Sequence, residues 1–306
     1  MTARKKRKLK DYAVSYSFLL PFAVLFCIFI VYPILRVMTL SLYNGNFLDK
    51  KFTFIGFTNY INIFHDSNFI RAFKNTCLYM LMEVPACQIL ALTLALLIKK
   101  NTRSSKTFEV VFFLPMLVSM VVASVLISYI ISYNGPVNQF LSIFGVSRQS
   151  FLQGVFSAKV CVLFLELWKG GTFFVFVYMS AMRSISYECI ESARLDGANA
   201  LQEAFYIIFP LIRNTIILCV TMNTIWQFQI YDSVYMLTGG GPLGTTETII
   251  YQIYNYSFKY YRVGYGAAAA VMFLLFVLVI YLIENLLLSD KDERRERREI
   301  RRRKQK

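Results

Sequence analysis

Six long apolar runs alternate with polar segments along the 306-residue chain. They lie near Ser15–Leu40, Lys74–Ile98, Thr107–Tyr133, Lys159–Met182, Leu211–Leu237 and Val263–Leu288. A helix rising about 1.5 Å per residue needs roughly 20 residues to cross a hydrocarbon core of about 30 Å, so each run can span. Tyr12–Leu35 and Val110–Tyr133 carry no formal charge at all. The first run is too long for a cleaved signal peptide, and Pro33 and Arg36 stand where a small-residue cleavage site would be expected. The pattern predicts an all-α polytopic membrane protein with six transmembrane helices over residues 12–289. A basic arm (1–11) precedes it and a charged tail (290–306) follows. The segment Phe52–Phe64 is too aromatic for a solvated loop and is expected to pack at a membrane interface. No internal repeat and no soluble domain stands out.

Composition agrees. The chain is 57% hydrophobic, against about 45–50% for soluble domains, and its mean hydropathy is +0.50. The net charge of +15 would suit nucleic acid if it were clustered on a soluble face, but its distribution follows the loops. If the N-terminus is cytosolic, six Lys and Arg fall in the arm, four in 99–106, three in 183–213 and ten in the tail, against eight in the opposite loops. This positive-inside asymmetry predicts a multi-pass plasma-membrane protein with both termini cytoplasmic. The tail is read as a topology anchor that also meets anionic lipid. The six cysteines form no C-x-x-C pair and mostly fall within spans, so they read as small buried hydrophobes. With one histidine, His65, a His-based metal site is not expected. No Gly is followed by Lys, so no Walker A loop is present.

The polar loop 184–210 is the most informative stretch. Ser186–Leu195 is an amphipathic helical pattern with early acids and a late Arg, as the helix dipole favours. Gly197 suits the left-handed turn that ends a helix. Ala198-Asn-Ala-Leu-Gln-Glu-Ala-Phe restarts a second short helix, and Pro210 fits the first turn of span five. Two readings stay open on physics alone: a compact knob that docks a cytosolic partner, or an amphipathic hairpin lying on lipid.

Glu191-Ser192-Ala193, then Asp196-Gly197-Ala198, Ile207, Phe209 and Pro210 closely resemble the "EAA" signature of ABC importer permeases in every spacing. Ser192 replaces the middle Ala and Phe209 replaces Leu, both mild departures. Phe57-Thr-Asn-Tyr60, Asn75-Thr76, Trp168-Lys-Gly170, Tyr231-Asp232 and Leu237-Thr-Gly-Gly-Gly-Pro242 further resemble the maltose-permease-like, carbohydrate-uptake branch. The resemblance covers nearly the whole chain and implies a type I ABC importer permease fold with cytosolic coupling helices. It implies that Glu191, Ser192, Ala193, Asp196, Gly197, Ala198 and Pro210 couple to an ATPase. It also implies partners: a second similar permease, two ATPase subunits that hold ATP and Mg, an extracellular solute-binding protein and a sugar. The chain itself would be no enzyme and would carry no cofactor.

Within the spans, Glu166 and Lys169 sit in an apolar run, where a charge costs roughly 2.5–3.5 kcal/mol and needs a cavity or partner. An i,i+3 ion pair between them is one reading. The other follows the resemblance: Glu166 and Gly170 fall where the family contacts sugar, and Gln227 and Gln229 align with its span-five polar cluster. Trp226 and Tyr231 offer aromatic faces to sugar C–H surfaces. On a continuous helix Trp226 and Gln229 would share one face. Asp232 is expected to tie span five to a neighbour or to the Gly-rich loop. That loop, Thr238–Gly244, is expected to be mobile, near a gate or the binding protein. Two rivals are carried: an ion-coupled secondary transporter, for which intramembrane carboxylates, paired broken helices and repeat symmetry would be expected, and a membrane-embedded transferase, for which clustered acids or His would be expected.

Overall fold

The structure, a computed structural model, describes residues 16–46, 51–99 and 102–288. The arm 1–11 and the tail 290–306 lie outside the described residues. In chain order come α1 (Tyr16–Leu40), the antiparallel hairpin β1 (Tyr43–Asn46) and β2 (Lys51–Phe54), and α2 (Thr58–Phe64). Then follow α3 (Ser67–Ile98), α4 (Arg103–Leu117), α5 (Met120–Ile130) and α6 (Pro136–Ile143). The second half holds α7 (Val155–Arg183), α8 (Tyr187–Leu195), α9 (Ala200–Leu211), α10 (Arg213–Phe228), α11 (Ile249–Tyr254) and α12 (Val263–Leu288).

Among the described residues four helices are each long and apolar enough to cross a membrane, or up to six spans if each of two bent pairs counts as one. The bends correct the expectation of unbroken third and fifth spans. α4 and α5 meet at 101°, because Val118 leaves the helix for an extended conformation and Ser119 caps the next one through Val122 N–H at 3.3 Å. α9 and α10 meet at 77°, so Pro210 lies in the last turn of α9 and not in the straight part of span five.

Two compact units divide the chain. The first joins residues 16–65 with 253–274. In it Asn59 donates to the carbonyls of Ser41 and Tyr43 at 2.9 and 3.0 Å, fastening α2 to the turn after α1. The aromatic segment is thus a hairpin plus a short helix, with Phe54, Phe57 and Phe64 exposed. Gly264 has no room for a side chain: a Cβ there would stand 1.7 Å from the Tyr43 carbonyl oxygen.

The second unit is built on α3, α7 and α10. Cys87, Ala91 and Ala95 recur every four residues along α3, fully buried, and face Phe174, Val175 and Tyr178 of α7. Small residues at this spacing let two helices approach closely in lipid, where dispersion and shape drive packing. Ala91→Leu should therefore overpack this seam and destabilise by about 1–3 kcal/mol. A lower melting temperature in detergent would register this; an unchanged one would place the seam elsewhere. Of the cysteines, Cys87 and Cys219 are buried as expected, but Cys27 and Cys189 are exposed.

The Gly-rich loop is not loose. Arg71 of α3 donates to the Gly244 carbonyl at 3.2 Å and pairs with Glu247 at 2.7 Å. Asn75 donates to the Gly244 and Glu247 carbonyls, and Thr76 Oγ1 accepts from Ile249 N–H at 3.0 Å. Tyr251 donates to the Gly239 carbonyl at 2.6 Å. Asp232, by contrast, is exposed and holds no hydrogen bond or ion pair among the described residues, so the expected tie through it is not made.

Candidate functional site

The seven residues singled out in the 184–210 loop are held on one helical hairpin. Gly197 takes φ +86 and ends α8 with a 3.0 Å bond from Ala198 N–H to the Ala193 carbonyl, the geometry for which glycine is suited. Asn199 and Gln202 form a reciprocal capping box that starts α9. Glu191, Ser192, Asp196 and Pro210 are exposed, while Ala193 and Ala198 are half-buried. Leu195, Leu201 and Tyr206 are 84%, 72% and 78% exposed, a set of large apolar side chains on a polar loop.

Beneath this surface Glu203 is buried. Its Oε1 accepts from Lys99 at the end of α3 at 2.6 Å, and its Oε2 accepts from both Nε and Nη2 of Arg194 on α8 at 2.9 Å. Burial pushes the carboxyl up, but the hydrogen bonds and charges of Lys99 and Arg194 outweigh it and hold it below the usual carboxylate range. Arg183 of α7 adds bonds to the Lys99 and Ile98 carbonyls at 3.2 and 3.4 Å and an ion pair with Glu109 of α4.

The intramembrane set divides. Glu166 accepts a short hydrogen bond from Ser233, and no Glu166–Lys169 ion pair is present among the described residues. A Cβ on Gly170 would meet nothing within 4 Å, so backbone is open there. α10 stops at Phe228, with Gln229 as its cap, so the helical face expected for Trp226 and Gln229 is not continued. Trp226 and Gln229 are nonetheless both exposed, and the indole packs on Phe173 and Phe174 at 5.1 and 5.4 Å. Gln227 is buried with its Oε1 lacking a hydrogen-bond partner. Tyr231 stacks on Tyr235 at 5.4 Å.

Sequence reading passed over Glu83. It lies in α3, 2% exposed, with neither carboxyl oxygen hydrogen-bonded. Asn223 and Cys87 flank it, and Glu166 is near enough to interact electrostatically. An acid inside the Lys74–Ile98 run was a sufficient signal. The Lys99–Glu203–Arg194 cluster had none, since Lys99 and Glu203 stand 104 residues apart.

Apolar helices joined by a Gly-broken polar hairpin define a multi-pass helical membrane protein. The chain belongs to the family of binding-protein-dependent transport system inner membrane components, which matches residues 89–291. It is 32% identical to the probable ABC transporter permease YurN of Bacillus subtilis, over 89% of this chain and 94% of that one. It is 29% identical to the lactose transport system permease LacF of Rhizobium radiobacter, over 93% and 97%. A bacterial alginate ABC transporter, solved with an alginate pentasaccharide-bound periplasmic protein, superposes with a TM-score of 0.83. There identity is 26%, and 92% of this chain and 96% of that one are covered. The chain is thus a type I importer permease subunit, not an ATPase, and the ion-coupled transporter and transferase are set aside.

Proposed function

We propose that this permease forms half of the path of an ATP-driven importer for an oligosaccharide or related sugar. It would pair with a second similar permease, two ATPase subunits that bind ATP and Mg, and an extracellular solute-binding protein. The names of the relatives support a carbohydrate: lactose for one, alginate for another. The carrying observation is the loop itself. Leu195, Leu201 and Tyr206 stand out from a charged, Gly-broken hairpin; exposed large apolar side chains mark contacts with protein or membrane, and the EAA spacing assigns this face to protein. Glu191, Ser192, Ala193, Asp196, Gly197, Ala198 and Pro210 shape that docking face. Glu166, Gly170, Trp226, Gln227, Gln229 and Tyr231 are assigned to the sugar path. Glu166 and Gly170 supply an acceptor and open backbone, and Trp226 and Tyr231 supply ring faces. Gln227, being buried, acts from behind the wall.

Both termini and the hairpin lie in the cytosol in this reading, on the strength of the 23-to-8 split of Lys and Arg. Leu243 is 87% exposed and reports the opposite side. In a cysteine-free background, an impermeant maleimide added outside should modify a cysteine at 243 and spare one at 300. External labelling at 300 would reverse the orientation. Co-purification of an ATPase with the intact chain, and its loss when Leu195, Leu201 and Tyr206 are replaced together by Ser, tests the docking face.

A further inference from the structure

We propose that Glu203 is a positioning residue for coupling. Its carboxylate fastens both arms of the hairpin to the end of α3, so that loop and span move as one body. This rests on the reading of the hairpin as the ATPase-docking element, and deepens it. Docking alone needs only the exposed face. It does not require a buried carboxylate behind that face, nor one whose two oxygens serve different elements.

Glu203 is itself on α9. Oε1 is taken by Lys99 of α3, and Oε2 by the forked guanidinium of Arg194 of α8. Three elements therefore meet at one side chain that is 4% exposed. Charge-assisted bonds of this kind are short and directional. Removing the carboxylate would leave a partly buried ammonium without its anion, which is unfavourable unless the elements part to let water in. The end of α3 is anchored a second time by Arg183 and by Ser105, whose hydroxyl donates to the Ile98 carbonyl at 2.5 Å. Those ties reach α7 and α4 but not the hairpin. Glu203 is the charged bond that joins the hairpin to α3 among the described residues.

The test uses the assembled permease–ATPase complex in lipid nanodiscs. Cys189 on α8 and a cysteine replacing Thr93 on α3, both exposed, carry spin labels in a chain lacking the other five cysteines. The 93–189 distance is measured without nucleotide and with ATP, Mg and vanadate. In the otherwise native chain the distribution should not shift. In Glu203→Gln, which keeps shape and loses charge, it should shift or broaden with nucleotide while the ATPase still co-purifies, and Glu203→Asp should lie between. A nucleotide-dependent shift in the native chain overturns the clamp, as does a fixed distance in Glu203→Gln. Loss of the ATPase from Glu203→Gln alone also overturns it, by placing the residue in the docking face. If the native chain holds no ATPase, the docking reading itself falls, a result distinct from all of these.

Discussion

Gly197→Val is expected to abolish uptake while the chain still inserts in the membrane. The cause is the backbone alone. A Cβ at 197 would meet nothing within 4 Å, so no clash confuses the result, but φ +86 is strained for a β-branched residue. A penalty of about 1–3 kcal/mol at the turn tilts α8 against α9 and is expected to weaken ATPase association about five- to 150-fold. Asn tolerates the left-handed region better than other side chains, so Gly197→Asn should keep more association than Val. ATPase co-purification and uptake measure this directly. Wild-type uptake by the Val variant would show that the turn is not needed for coupling.

Glu166→Ala is the second large effect expected. It removes the acceptor of the Ser233 hydroxyl and, in the proposed path, a sugar contact. Losing one buried partner costs about 1–3 kcal/mol, or about five- to 150-fold in apparent affinity for uptake. The binding protein's own affinity should not change. Ser233→Ala separates the two contributions, because it deletes the same hydrogen bond and leaves the carboxylate in place. Uptake lost in Glu166→Ala but kept in Ser233→Ala assigns the carboxylate to the sugar. Equal loss in both, or failed assembly, makes Glu166 a structural brace. Normal uptake in both places the path on other residues.

The helical class, the apolar length of the runs and the hairpin were legible because their causes are local. Apolar length is visible in a window of about 20 residues, and a left-handed turn announces itself by glycine between two amphipathic patterns. The bends were not legible. Val118 and Ser119 sit inside an unbroken apolar run, and hydropathy does not register where such a run changes direction. The break at Gln229 hid for a similar reason, since Trp226–Tyr231 remains aromatic and polar on both sides of it. The brace on the Gly-rich loop depends on Arg71 and Asn75 meeting Gly244 and Glu247 about 170 residues later in the chain, which no periodicity encodes. Glu83 was different. Its signal, an acid inside an apolar run, is as local as that of Glu166.

α3 has 32 residues, or about 48 Å of helix, and a tilt near 20° shortens this only to about 45 Å. That matches or exceeds the full bilayer with headgroups, about 40–45 Å. A helix of that length can reach both faces of a bilayer, and this one is held near one end by Arg71 and Asn75 and at the other by Lys99. Its backbone ladder lacks one rung, because Pro85 offers no N–H to the Leu81 carbonyl. That missing rung lies two residues from Glu83, so the buried carboxylate sits beside the point where the ladder of the shaft is interrupted.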